Sequence, residues 1–162
     1  MFTLGILTIS DKGAKGQRED KSGKTISDIL SAPGSELVRY EIIPDEKETI
    51  SSKLAEWADE GRIDVILTTG GTGLSRRDVT PEATMAVVDR AAPGFTEAMR
   101  AGTLSITPMS MLSRSAAGIR GNCLIINLPG SPKAVRECLE VILPVIPHAV
   151  EIIKGEATEH QP

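Results

Sequence analysis

The amino-acid sequence predicts an α/β fold: a mixed, mostly parallel sheet of about five strands, one of them antiparallel, with helices on both faces. Three observations lead there. Short β-branched runs alternate along the chain with segments of helical hydrophobic spacing, the pattern of β–α–β units joined by right-handed crossovers. Two of the apolar runs end in glycine-bearing loops that lead into a helix start, at residues 68–81 and 127–132. Between two further apolar runs, Gly121-Asn122 suits a tight hairpin, which sets one strand antiparallel to its neighbour.

The elements follow in order. Phe2 to Ile9 is the first strand; it opens into a polar loop, Ser10 to Asp20, whose length is a functional hint because most such connections are shorter. Ser22 to Leu30 has helical spacing at Ile26, Ile29 and Leu30, ended by Pro33-Gly34. Glu36 to Ile43 is the second strand, closed by Pro44 and Asp45. Ile50, Leu54, Trp57 and Ala58 mark one face of a helix ending near Gly61. Ile63-Asp64-Val65-Ile66-Leu67 is the β-branched run of a buried parallel strand. Thr80 reads as a helix N-cap with Pro81 at the first helical position, and the helix is expected to reach about Ala91. After a Pro93-Gly94 break comes a helix carrying Phe95, Ala98 and Met99. Ser115 to Arg120 and Cys123 to Leu128 are the hairpin strands, and Pro129-Gly130-Ser131-Pro132 starts the C-terminal helices. Met109, Met111 and Leu112 read as core packing in preference to a subunit contact, since methionine fills gaps readily. Residues 1–155 are expected to form one domain and 156–162 a flexible tail.

Composition narrows the function classes. The 162 residues carry a formal net charge of -4, without the basic footprint of a nucleic-acid or anionic-membrane surface. One Trp, one Tyr and two Phe leave little for base stacking. No run of about eighteen apolar residues occurs, and the apolar first ten residues lack a basic leader, so a cytoplasmic protein is expected. Cys123 and Cys138 lack CxxC spacing and read as reduced structural thiols, while His148 and His160 have no nearby ligand cluster for a transition metal.

The loop Thr68-Thr69-Gly70-Gly71-Thr72-Gly73-Leu74-Ser75-Arg76-Arg77-Asp78-Val79-Thr80-Pro81 carries the strongest chemical signal. Glycines let successive amides converge on an anion, and a helix start adds its positive dipole end. A structural turn would use the same glycines, but it has no need of two arginines and a carboxylate beside it. Asp45 and Asp78 each follow a strand's carboxyl end; if their strands are neighbours, the two acids share one sheet edge. Two carboxylates near a polyphosphate suggest Mg2+, although each could be an ordinary loop acid. Asn127-Leu128-Pro129-Gly130-Ser131-Pro132 is a second phosphate-type loop, and Ser113-Arg114 a candidate for another anion contact. Gly23-Lys24-Thr25 ends like a P-loop, but Arg18 stands where that motif needs glycine, so it is rejected as one.

The segment Ile43-Pro44-Asp45-Glu46, the 68–82 loop and Asn127 to Pro132 together resemble the MogA-like molybdopterin adenylyltransferases of molybdenum cofactor synthesis, over nearly the whole chain. The resemblance implies a three-layer α/β/α sandwich, a homotrimer, and transfer of AMP from ATP to molybdopterin with release of pyrophosphate and Mg2+ as the required ion. It implies that Asp45 and Asp78 are catalytic and hold the metal. It further implies that Thr69, Gly70, Gly71, Thr72, Gly73, Ser75, Arg76 and Arg77, with Asn127, Pro129, Gly130 and Ser131, hold nucleotide and pterin phosphate. Thr8, Ser10 and Asp11 match a polar part of the same site. Related MoaB-like proteins share the fold, so the alternative is a non-catalytic molybdopterin-binding or carrier protein that hands its ligand to a molybdenum-insertion enzyme.

Overall fold

A computed structural model of the protein describes residues 1–32 and 34–157. Pro33, His160 and the rest of the expected tail from residue 158 onward lie outside the described residues. The order is β1 (Phe2–Ile9), α1 (Asp11–Ala14), α2 (Lys21–Leu30), β2 (Ser35–Ile43), α3 (Lys47–Asp59), β3 (Val65–Thr69), α4 (Thr80–Met85), β4 (Arg90–Ala91) and α5 (Pro93–Leu104). A 3-10 turn (Pro108–Leu112), β5 (Ala117–Arg120), β6 (Cys123–Leu128), α6 (Pro132–Ile142) and α7 (Ile146–Lys154) complete it.

The sheet has six strands in the order β2-β1-β3-β6-β5-β4. β2, β1, β3 and β6 are parallel neighbours, and β5 runs antiparallel to both β6 and β4, so a single strand is reversed. The sixth strand corrects the expected five. Its residues, Arg90 and Ala91, fall in a stretch expected to be helical, but α4 stops at Met85 because the β-branched Val87 and Val88 pack against the core and turn the chain toward the sheet. The Asp89 amide then donates to the Ile119 carbonyl at 2.8 Å, and the Ala92 amide to Ala117 at 2.9 Å.

Alternation along the central strands makes three layers, because successive side chains point to opposite faces. Leu4 and Ile6 of β1, Val65 and Leu67 of β3, and Leu124 and Ile126 of β6 pack with Ile26, Met99, Leu139 and Ile146 from α2, α5, α6 and α7. Leu7, Ile66 and Ile125 face the other way, onto Ile50, Leu54, Trp57 and Ala83 of α3 and α4. Sheet strands buried on both sides explain why their sequence reads as continuous apolar runs. Met109, Met111 and Leu112, expected in the core, are instead exposed at 64%, 68% and 46%. They sit on one 3-10 turn laid over α5, which offers the core only one face. Among the described residues, no helix is long and apolar enough to cross a membrane.

Candidate active site

Four parallel strand ends lie side by side at one rim of the sheet. The chain leaves β1 for β2 on one side and returns to β3 on the other, so the crevice between β1 and β3 is the switch point where open α/β sheets take ligands. A cleft of about 640 Å³ opens there. Thr8 and Ser10 line it from the end of β1, Asp45 from beyond β2, Thr69, Gly70, Gly71 and Asp78 from the loop after β3, and Gly130 from the loop after β6.

Gly70 and Gly71 adopt φ of 99° and 68°, in the left-handed region that side chains disfavour. Space forbids a side chain as well: a Cβ on Gly70 would strike the Ile9 carbonyl, and one on Gly71 the Thr80 hydroxyl. Thr80, expected as the helix N-cap, is corrected to the first residue of α4. Val79 precedes the helix, and the buried Thr80 hydroxyl donates to the Gly70 carbonyl at 3.0 Å, tying helix to loop. The Gly70 amide donates to Leu128 at 3.2 Å, while the neighbouring amides of Gly71, Thr72 and Gly73 have no chain acceptor among the described residues. Thr69 links the two phosphate-type loops by donating its hydroxyl to Pro129 at 2.6 Å.

The carboxylates are fixed by backbone. The Asp11 amide donates to Asp45 Oδ2 at 2.9 Å, and the Asp45 amide returns a bond to Asp11 Oδ1 at 3.0 Å. The Ser75 amide donates to Asp78 Oδ2 at 3.0 Å. Oδ1 of Asp45 and Oδ1 of Asp78 accept no hydrogen bond from the described residues. Burial pushes the Asp45 carboxyl above its ordinary pKa, and the nearby Asp11 and Asp78 charges push the same way, against the Asp11 amide bond and Arg77. A divalent cation would relieve that cost. Among the described residues no three His, Cys, Asp or Glu side chains are grouped to hold a metal, so a cation here would rest on two carboxylates and ligand phosphate oxygens, which is how magnesium is commonly held.

Two of the three arginines expected to contact the ligand, Arg77 and Arg114, turn to partners within the chain. Arg77 donates through Nε to Asp11 Oδ2 at 3.1 Å and through Nη2 to Asp11 Oδ1 at 2.9 Å and Glu46 Oε1 at 3.0 Å. That fork holds the Asp11 carboxyl below its usual range, helped by the Asp45 amide. Arg114 clamps the glycine loop, giving Nε to Gly73 O at 2.8 Å and Nη2 to Asp78 O at 2.7 Å, and pairs through Nη1 with Glu82. The Glu82 carboxyl is lowered chiefly by that contact.

Other expected contacts sit off the cleft. Asn127 is fully buried, its Oδ1 taking the Ala116 amide at 3.1 Å and its Nδ2 reaching the Thr68 and Thr84 hydroxyls at 3.0 and 2.9 Å. Ser113 lines a separate cavity of about 130 Å³ under α5, together with Pro129. Ser131 caps α6 through the Ala134 amide at 3.2 Å; Ser10, which does line the cleft, spends its hydroxyl oxygen on capping α1 through the Gly13 amide at 3.0 Å. Thr72, Gly73, Ser75 and Arg76 belong to the loop but are not among the cleft's lining residues.

One wall comes from the end of the long first loop, whose length was a functional hint but whose residues were not assigned to the site from the sequence. Arg18, Glu19, Asp20, Lys21 and Ser22 close the far side of the cleft. Asp20 is its knot: Oδ1 takes the Gly23 amide at 2.9 Å and Oδ2 the Thr8 hydroxyl at 2.7 Å, with the Tyr40 hydroxyl on Oδ2 as well. Burial, then the Asp20 contact, raises the Tyr40 phenol above its ordinary pKa. A Cβ on Gly23 would collide with Asp20, Tyr40 and Thr8, so the glycine of the rejected P-loop look-alike is there for this knot. An Asp before a helix start at the end of a long first loop was the available signal.

Fold and cleft together define an α/β protein of the three-layer type, with a crevice at the switch point lined by glycine-bearing strand-to-helix loops and two carboxylates. The chain belongs to the family described as "Probable molybdopterin binding domain", whose profile matches residues 5–148. It is 47% identical over 154 residues to a molybdopterin adenylyltransferase of Helicobacter pylori (strain J99), covering 94% of this chain and 88% of that one. It is 38% identical over 173 residues to the molybdopterin adenylyltransferase of Escherichia coli K12, covering 98% and 89%. A crystal structure of the molybdopterin biosynthesis enzyme MoaB from Thermus thermophilus superposes with a TM-score of 0.91 at 50% identity, covering 98% of this chain and all of that one.

Proposed function

We propose that this protein is a molybdopterin adenylyltransferase, moving AMP from ATP to molybdopterin and releasing pyrophosphate. The observation that carries the reading is the pairing of Asp45 and Asp78 across one cleft from two strand-to-helix loops. In the proposed reaction a phosphate oxygen of molybdopterin attacks the α-phosphorus of ATP; one P–O bond forms, the bond to the β-phosphate oxygen breaks, and pyrophosphate leaves. Such a reaction depends on in-line positioning and charge neutralisation.

The amide of Gly71, which lines the cleft, would receive a phosphate, while Gly70 and Gly130 let the ligand approach the backbone. Asp45 and Asp78 would hold Mg2+ through their free Oδ1 atoms, the ion supplying neutralisation for the polyphosphate. Arg77 and Asp11 fix Asp45, and Arg114 fixes the loop that carries Asp78. A cytoplasmic location, with hand-off of the product to a molybdenum-insertion enzyme, fits this reading. The apolar turn with Met109, Met111 and Leu112 is exposed enough to form the subunit contact of a homotrimer. Light scattering is expected to give three times the chain mass, and a monomer would remove that assignment.

Incubation with molybdopterin, ATP and magnesium is expected to release pyrophosphate, with none in the presence of a chelator. Tight pterin binding without pyrophosphate release above a protein-free control would instead identify the carrier alternative.

A further inference from the structure

The cleft's positive charge does not come from the glycine loop. Arg77 is committed to Asp11 and Glu46, and Arg114 to Gly73, Asp78 and Glu82. Of the side chains that line the cleft, the cations are Arg18 and Lys21, and among the described residues no hydrogen bond or ion pair to another side chain engages either of them. They sit on the wall opposite Asp45 and Asp78, on either side of Asp20, in a cavity of about 640 Å³.

We propose that Arg18 and Lys21 are the side chains that bind a substrate phosphate group in this cleft, and that Asp20 is the positioning residue that aligns them. The proposal rests on the adenylyl-transfer reading for the identity of the substrates. Three donors from three different elements, Thr8 of β1, Tyr40 of β2 and Gly23 of α2, converge on Asp20, so the chain at residues 18–21 is anchored at its centre. Anchoring limits the rotamer and backbone freedom lost when a ligand binds, which is what a phosphate contact on an otherwise polar, exposed loop needs. The partition of labour is electrostatic. Asp45 and Asp78 repel phosphate unless a cation intervenes; beside Arg18 and Lys21, Asp20 is taken up by its three donors and Glu19 by Lys24, which leaves the two cations to attract phosphate directly. Arginine offers a two-pronged contact to phosphate oxygens and lysine a point charge.

Two phosphate sources carry the same chemistry: the polyphosphate of the nucleotide and the phosphate of the pterin. The test is steady-state kinetics of Arg18→Gln/Lys21→Gln with each substrate varied in turn, alongside calorimetric binding of inorganic pyrophosphate to the protein alone. One substrate's KM is expected to rise about tenfold or more with kcat less affected, the scale of losing charge-assisted hydrogen bonds. A rise for ATP, with weakened pyrophosphate binding, assigns the pair to the polyphosphate; a rise for molybdopterin assigns it to the pterin phosphate. The charge-matched Arg62→Gln/Arg90→Gln, exposed and outside the cleft lining, is expected to leave both KM values within about twofold, since isolated surface charges act weakly. Tyr40→Phe removes one donor to Asp20 and is expected to raise the same KM about threefold while sparing kcat, a split that mere loss of folded protein would not give. The proposal is overturned if Arg18→Gln/Lys21→Gln keeps both KM values and the pyrophosphate affinity of the unaltered protein. Absence of turnover in the unaltered protein would instead count against the adenylyl-transfer reading, with pyrophosphate binding still deciding the role of the two cations.

Discussion

The two walls of the cleft are built on opposite principles. On the glycine-loop side, arginines and carboxylates satisfy one another: Arg77 with Asp11 and Glu46, Arg114 with Glu82 and two loop carbonyls. On the α2 side two carboxylates are taken up locally, Asp20 by hydroxyls and an amide and Glu19 by Lys24, and the neighbouring Arg18 and Lys21 have no side-chain partner among the described residues. The first arrangement is a rigid frame that presents backbone amides and two carboxylate oxygens; the second presents mobile cationic side chains from a fixed base. An arginine in a phosphate-type loop is therefore as able to be frame as ligand, and partners decide which.

The largest effect expected from breaking this contrast is at Asp78. Asp78→Asn keeps the volume and can still accept the Ser75 amide, so pterin binding should persist, while pyrophosphate release falls on the order of 100-fold or more. Normal turnover by this variant would remove the carboxylate from the chemistry. Next, Gly23→Ala drives a methyl into the knot on the α2 wall, and urea unfolding is expected to show a loss of about 2 kcal/mol from overpacking. An unchanged midpoint would mean that Asp20 is not held as described. Arg114→Gln should cost about 1 to 2 kcal/mol in the same measurement, because the carbonyls of Gly73 and Asp78 lose charged donors. Unlike Gly23→Ala, it should also lower kcat, since it frees the loop that carries Asp78.

The smallest effects sharpen the contrast inside the frame itself, through two carboxyls that each accept the other residue's backbone amide and have opposite pKa shifts. Asp11 is lowered, so its charged form stabilises the fold above the unfolded carboxyl pKa and that stability is lost as pH falls through the depressed value. Asp11→Asn should therefore lower the urea midpoint at pH 7 and have little effect in acid. Asp45 is raised, so its charged form costs stability at neutral pH and the cost disappears as pH falls through the raised value. In chelator-treated protein, Asp45→Asn should raise the midpoint at pH 7 and lose that advantage in acid, a stability gained where function is given up. Shifts of the same sign in both variants would break the account.

Much of the fold was legible because its signals are local. The β-branched runs, the Gly121-Asn122 hairpin and the apolar spacing of α3 depend on a few adjacent residues, and the observed elements follow them. Errors arose where tertiary contacts overrode a local signal. Val87 and Val88 fitted a continued helix but were drawn to the core, and Thr80 looked like a cap but was claimed by Gly70. Within the site, the positions of Asp45, Asp78 and the glycines at strand ends were readable. Asn127, at a strand end too, points inward, because strand alternation and two hydroxyls in the interior took its amide.

By itself the sequence determined five of the six strands and most of the longer helices, that two glycine loops and two carboxylates stand at strand ends, and which family they resemble. Tertiary structure alone decided which charges face the cleft. Arg77 meets Asp11 across 66 residues of chain, Arg114 meets the Asp78 carbonyl across 36, and Tyr40 meets Asp20 across 20. Secondary structure is set by neighbours a few residues away, whereas a charged side chain is drawn to whichever partner the packed sheet brings within about 3 Å.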